Sequence, residues 1–263
     1  MESVRAANLE IAYRRSGDGA PLVLLHGAAS DGRMWAPQLA ALGDEFDLIA
    51  WDEPGAGASA DPADELDLAG YADCLASLID ELDLGRVHLA GLSWGGVIAQ
   101  EFCLRHPELV RSLILADTYA GWKGSLPPDE CRRRLELAVA QATAAPEDYA
   151  PELPGLFGPD ASPELIDGLA AIAAETRPAT LRRTAVLNAD CDLRERQAAI
   201  RAPCLLIWGE LDARSPLSVA ESCLERIAGA RLVVLPGAGH MSNLERPEEF
   251  NAEVRRFCRS VPL

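Results

Sequence analysis

Ser93 lies in Gly91-Leu92-Ser93-Trp94-Gly95-Gly96, after the apolar run Val87 to Ala90 and before a helical pattern that opens at Val97. A G-x-S-x-G turn between a strand and a helix is a setting in which serine becomes a nucleophile. The turn is sharp, so glycines two positions to either side let neighbouring chain pass close while the serine takes a strained backbone conformation. Its hydroxyl then stands at a helix N-terminus, where backbone N–H groups and the helix dipole favour developing negative charge. A hydroxyl is a weak nucleophile and needs a base. Four histidines are available. His88 lies inside a strand pattern and reads as core. His106 precedes Pro107 at a helix end and reads as a surface or capping residue. His26 ends a strand in His26-Gly27-Ala28-Ala29 and reads as shaping that turn. His240 lies in Gly237-Ala238-Gly239-His240-Met241, a loop after an apolar strand, where sheets covered by helices collect their sites. It is the expected general base.

The base needs an anion to hold its tautomer and stabilise the imidazolium. Asp212, in Trp208-Gly209-Glu210-Leu211-Asp212, follows an apolar strand and precedes His240 by 28 residues. Asp117 and Glu210 are its rivals.

The elements that must position these groups are short apolar runs alternating with helical patterns. Residues 22–26, 48–52, 87–91, 112–116, 204–208 and 232–235 read as buried strands, continuous rather than alternating in hydropathy, as strands covered on both faces are. Helical periodicity marks 71–83, 94–105 and 247–259. The alternation implies an α/β fold, a mostly parallel sheet with helices on both sides. The rhythm breaks from about Gly121 to Glu195. That stretch has helical patterns at 129–144, 163–175 and 179–189, separated by Pro-rich joints at Pro127-Pro128 and Pro151-Glu152-Leu153-Pro154-Gly155. It reads as a helical insertion over the sheet.

Composition narrows the class. The chain has 263 residues, 49% hydrophobic and 25% charged, which is ordinary for a globular protein. A net charge of −17 repels phosphate backbones and anionic lipid, so nucleic-acid and membrane-surface partners are not expected. No apolar stretch approaches the roughly 20 residues of a membrane helix, and the N-terminus shows no secretory pattern. Seven scattered cysteines without a C-x-x-C pair suggest neither a disulfide framework nor a zinc site, but reduced thiols in a cytoplasmic protein.

Together these motifs resemble the α/β-hydrolase superfamily over nearly the whole chain. His26-Gly27-Ala28 is similar to the family's oxyanion loop, with Trp35 eight residues after Gly27. Asp52-Glu53-Pro54-Gly55-Ala56-Gly57-Ala58-Ser59 is similar to its D-x-P-G-x-G-x-S turn. Gly239-His240 through Phe250 is similar to its terminal G-H-x(4)-E-x-P-E-x-F segment. The chain order Ser, Asp, His is also that of the family. The resemblance implies a sheet of about eight strands, with a core of residues 1–120 and 196–263 and a small cap, 121–195, after the sixth strand. It implies an oxyanion hole from the backbone N–H groups of Ala28 and Trp94. His26, Ala29 and Trp122 are further candidates for the substrate pocket.

Within the superfamily the short chain and small cap resemble 3-oxoadipate enol-lactonases and related carboxylesterases. Serine at the nucleophile position argues against the branches that form an alkyl ester on aspartate. The expected activity is hydrolysis of a small carboxylic ester or lactone through an acyl-enzyme, with no metal or organic cofactor. A hydrolase-fold ligand receptor, a C–C bond hydrolase and a cofactor-free perhydrolase share these motifs. Two smaller questions are left to the structure. Trp94 either narrows the acyl pocket or packs into the core. Of the arginines at 132, 133, 134, 177, 182 and 183, most should face solvent and one or two could turn inward to meet an anionic substrate.

Overall fold

A computed structural model describes residues 1–62, 66–145 and 155–262. Eight strands form one sheet: β1 (Glu2–Ala6), β2 (Leu9–Ser16), β3 (Ala20–Leu25), β4 (Phe46–Trp51), β5 (Val87–Leu92), β6 (Val110–Ala116), β7 (Cys204–Gly209) and β8 (Arg231–Leu235). Their order across the sheet is β1-β2-β4-β3-β5-β6-β7-β8. β1 pairs antiparallel with β2, and β2 antiparallel with β4. Every other neighbour pair is parallel. The six runs read from the sequence are the parallel strands. The two that a search for apolar runs misses are β1 and β2. They sit at one edge and carry Arg5, Glu10, Arg14 and Arg15 among their apolar residues.

The central strands are apolar on both faces because both faces are covered. Alternate residues of β3 divide accordingly: Val23 and Leu25 join one core cluster, Leu22 and Leu24 the other. The first cluster is closed by α2 (Leu68–Glu81), α3 (Trp94–Arg105) and α7 (Leu217–Arg226), through residues such as Leu75, Val97, Phe102 and Cys223. The second is closed by α1 (Ala36–Leu42) and α9 (Pro247–Ser260), through Leu42, Phe250, Val254 and Phe257. The short α8 (Ser242–Glu245) joins the β8 loop to α9.

Between β6 and β7 come α4 (Pro128–Ala142), α5 (Pro163–Ala174) and α6 (Pro178–Asp190), with no strand among the described residues. α4 and α6 pack against each other, and Leu169 of α5 reaches the second core cluster. Of the expected Pro-rich joint at 151–155, residues 151–154 lie outside the described residues.

Candidate active site

Ser93 caps the N-terminus of α3 with φ 53° and ψ −118°, a left-handed conformation that a residue with a Cβ rarely adopts. The surroundings hold it there. Its N–H donates to the Ala116 carbonyl at 3.0 Å, tying the turn to the end of β6, and the Thr118 hydroxyl donates to its carbonyl. The glycines have a steric cause. A Cβ on Gly95 would collide with the carbonyl oxygens of Leu25 and His26, and one on Gly91 with the backbone of Gly95. The turn can therefore pass beside β3 only with glycine at both places. Trp94 is the first residue of α3, so its N–H is one of the four that a helix leaves without an intrahelical acceptor.

His240 follows β8 and is 1% exposed. Its Nδ1 lies 2.8 Å from Asp212 Oδ2. The other oxygen, Asp212 Oδ1, accepts the backbone N–H groups of Arg214 and Ser215, both at 2.8 Å. Three contacts thus orient one buried carboxylate, which holds the Nδ1 side of the His240 ring. Burial pushes the His240 pKa below its ordinary value, and the Asp212 charge opposes that shift.

The rival acids have other partners. Asp117 Oδ1 accepts the Gly209 N–H at 2.7 Å and its Oδ2 accepts the Ser242 hydroxyl. Burial, and secondarily the nearby Asp212, holds its pKa well above the usual carboxylate range. Glu210 accepts the Gly237 N–H at 2.9 Å.

Ser93 and His240 line one cavity together with Gly27, Ala28, Ala29, Leu156, Leu169 and Arg214. A second cavity adjoins it, sharing Ala28 and Arg214. Its walls are Trp122, α4 residues including Arg134, and α6 residues including Asn188, around a space that opens partly to solvent. The structure thus gathers Ser93, Ala28, Ala29 and His240 around one space and Trp122 around the next. It takes His26 out of the pocket. That ring is 1% exposed and lines neither cavity. Both its nitrogens are spent on backbone, Nδ1 on Gly27 O at 2.8 Å and Nε2 on Glu53 N at 3.0 Å. The Trp94 indole does not narrow either cavity. It is fully buried, stacks edge-on against Tyr71 and donates to Glu53 Oε2 at 2.6 Å.

Of the arginines between 121 and 195, Arg134 is the one that lines the cavity while 8% exposed. Its guanidinium donates to Glu130, to the Tyr119 hydroxyl at 3.0 Å and to the Arg214 carbonyl at 3.0 Å, 5.8 Å from the Trp122 ring centre. Arg132 and Arg133 are exposed and pair within their own helix, although Arg133 also lines the outer part of the second cavity. Arg177 instead ties α6 to the 52–59 turn through Asp61 and the carbonyls of Gly57 and Ser59. Arg214 had no sequence signal beyond standing two residues after Asp212. Glu245 was legible only as part of the terminal motif; it braces the His240 loop by accepting the N–H groups of Gly239 and Gly158.

An eight-stranded sheet of this order, with a serine on a strained turn after the fifth strand and a histidine–aspartate pair after the last two, defines an α/β-hydrolase. The chain belongs to the alpha/beta hydrolase family, whose model matches residues 22–253. It is 33% identical over 250 residues to the dihydrolipoyllysine-residue acetyltransferase component of an acetoin cleaving system from Pseudomonas putida, spanning 92% of this chain and 64% of that protein. It is 29% identical over 272 residues to a putative carbamate hydrolase, RutD, of Azorhizobium caulinodans, spanning 99% of both. Among solved structures it resembles a thermophilic esterase from Thermogutta terrifontis with malate bound, at TM-score 0.89 and 29% identity over 98% of this chain and 97% of that one. It also resembles the enol-lactonase from Burkholderia xenovorans LB400, at TM-score 0.88 and 27% identity over 98% of this chain and all of that one. No helix among the described residues is long and apolar enough to cross a membrane.

Proposed function

We propose that the protein is a serine hydrolase that cleaves a small carboxylic ester or lactone through an acyl-enzyme on Ser93. The observation that carries this reading is the single cavity lined by Ser93 and by a buried His240 whose Nδ1 is bonded to Asp212. Ser93 Oγ attacks the carbonyl carbon and His240 Nε2 takes its proton. The N–H groups of Ala28 and Trp94 receive the oxyanion, a contribution worth about 10²–10³ in kcat per donor. The imidazolium, held by Asp212, returns the proton to the leaving alkoxide. A water then repeats the sequence and frees the acid. Residues 121–195 serve as a cap over the core of 1–120 and 196–263.

Ser93→Ala should lower kcat by about 10⁴–10⁶-fold with folding intact, and a serine-directed phosphonate should add to Ser93 alone. An alanine variant with near-wild-type turnover would sink the mechanism.

The substrate is expected to carry an anionic group, foremost a carboxylate. The cavity next to Ser93 is lined by the buried Arg134, by Arg214 and, farther out, by the exposed Arg133. Glu130 is shared by Arg133 and Arg134, so one carboxylate serves two guanidiniums. A guanidinium has five N–H donors. Arg134 spends three of them, one on each nitrogen, which leaves one on each Nη to grip a carboxylate. In a chain of net charge −17, such a local cation is what lets an anion approach. The malate in the esterase neighbour is itself an anion of this class. The test compares p-nitrophenyl hydrogen glutarate with its neutral methyl ester. The wild type should prefer the acid. Arg134→Gln and Arg214→Gln should each cut the acid-to-ester ratio of kcat/KM by about 10–150-fold, the cost of one charge-assisted hydrogen bond. Arg132→Gln, exposed on the same helix, should leave the ratio alone. A wild type that prefers the neutral ester, with no variant changing the ratio, would make the second cavity an apolar pocket.

A further inference from the structure

The Glu53 side chain is buried, 1% exposed, in the turn after β4, where neither nucleophile, base nor acid needs a carboxyl. We infer that Glu53 is the positioning residue that sets both donors of the oxyanion hole, one through its backbone and one through its side chain. This rests on Ala28 and Trp94 being those donors.

The first link runs through His26. The Glu53 N–H can only donate, so His26 Nε2, 3.0 Å away, must be the acceptor. The ring proton therefore sits on Nδ1 and is donated to the Gly27 carbonyl at 2.8 Å. Burial keeps the ring neutral by lowering its pKa, which that tautomer requires. The Gly27 carbonyl and the Ala28 N–H belong to one planar trans peptide, so they point in opposite directions. Pinning the carbonyl aims the N–H.

The second link runs through the indole. Glu53 Oε2 accepts Trp94 Nε1–H at 2.6 Å. The Tyr71 ring meets the indole edge-on, with centroids 5.7 Å apart at 86°. The Trp94 side chain is thereby fixed at the first residue of α3, whose N–H is the other donor. The two donors stand 66 residues apart in the chain, and Glu53 touches the supports of both.

Either form of the carboxyl accepts the indole N–H, but only the neutral form places no negative charge behind the hole. Burial raises its pKa to about 8, outweighing the Trp94 hydrogen bond and the Arg183 charge, which both favour ionisation. The titratable groups around it are Arg183 from α6, Tyr71 from α2 and the neutral His26 from the β3 loop. As pH rises through about 8 the carboxylate forms behind Trp94, and its charge opposes the one that develops on the oxyanion. Turnover should fall on that side.

The test measures kcat and KM against pH, from about 6 to 10, for wild type, Glu53→Gln and Glu53→Leu, with active sites counted by phosphonate titration. Glutamine keeps a neutral oxygen for the indole; leucine keeps only bulk. Glu53→Leu should lower kcat by about 10²-fold with KM little moved, the cost of a slightly displaced donor. Glu53→Gln should recover most of that loss and lack the fall above pH 8. A leucine variant with wild-type kcat, or a glutamine variant with the wild-type alkaline fall, would overturn the inference. Should the leucine variant fail to fold, the glutamine profile decides alone. Retained turnover in Ser93→Ala would refute the serine mechanism instead, so the two failures stay separate.

Discussion

Asp117 and Asp212 stand just past the ends of adjacent parallel strands, β6 and β7, and both are buried. Only Asp212 touches the histidine. Its other oxygen takes two backbone N–H groups from its own loop, which turns the free oxygen toward His240. Asp117 spends both oxygens on scaffolding, on the N–H of Gly209 before Asp212 and on the hydroxyl of Ser242 after His240. One carboxylate meets His240, and the other holds the two segments that carry His240 and Asp212. Place after a strand thus makes a carboxylate a candidate. The partners of its second oxygen decide its job.

Three changes would break or sharpen this contrast. The largest effect is expected from Asp212→Asn. It should lower kcat about 10⁴-fold by favouring the wrong imidazole tautomer, while Asp117→Asn costs far less. The reverse ranking in steady-state kinetics would exchange the two roles. Next comes stability. Asp117→Asn keeps only one acceptor oxygen for two donors and should cost about 1–3 kcal/mol in urea unfolding. The pH dependence has a definite sign. The folded chain holds the Asp117 proton more tightly than the unfolded chain does, so this site favours folding at low pH. That contribution is lost as pH rises above the ordinary aspartate value of 3.8. The asparagine variant should therefore lose less stability than wild type between about pH 5 and 8; an equal loss would assign the effect elsewhere. The smallest effect is on the acid limb of kcat/KM. Activity should rise with pH through a midpoint below the ordinary histidine value of 6.5, because burial disfavours the imidazolium. The residual activity of Asp212→Asn should have a still lower midpoint, since the Asp212 charge raises the His240 pKa. A midpoint that rises in the variant would contradict the pairing.

Much of this was legible in the residues because it is enforced locally. Steric limits on the Ser93 turn demand glycine at 91 and 95, and double-sided burial leaves apolar runs in five of the six parallel strands, with β8 apolar but partly exposed at the sheet edge. The periods of the helices follow from one buried stripe each, and all three helical patterns between 121 and 195 correspond to helices. Strands β1 and β2, at the antiparallel end of the sheet, escaped because their partly exposed positions carry arginine and glutamate among the apolar residues.

What only the tertiary structure decided were partnerships across long stretches of chain. Helical phase separates Arg134 from Arg132, but that its face meets Trp122 and a loop 80 residues away follows from packing. The carboxyl of Glu53 finds the Trp94 indole 41 residues on, and His26 leaves the pocket because two backbone groups claim its ring. A side chain's chemistry depends on desolvation and on its nearest polar neighbours, and both exist only once distant segments are brought together. Sequence specified the strained turn that carries Ser93. The fold decided which carboxylate meets His240, which arginines line the neighbouring cavity and which carboxyl lies buried against Trp94.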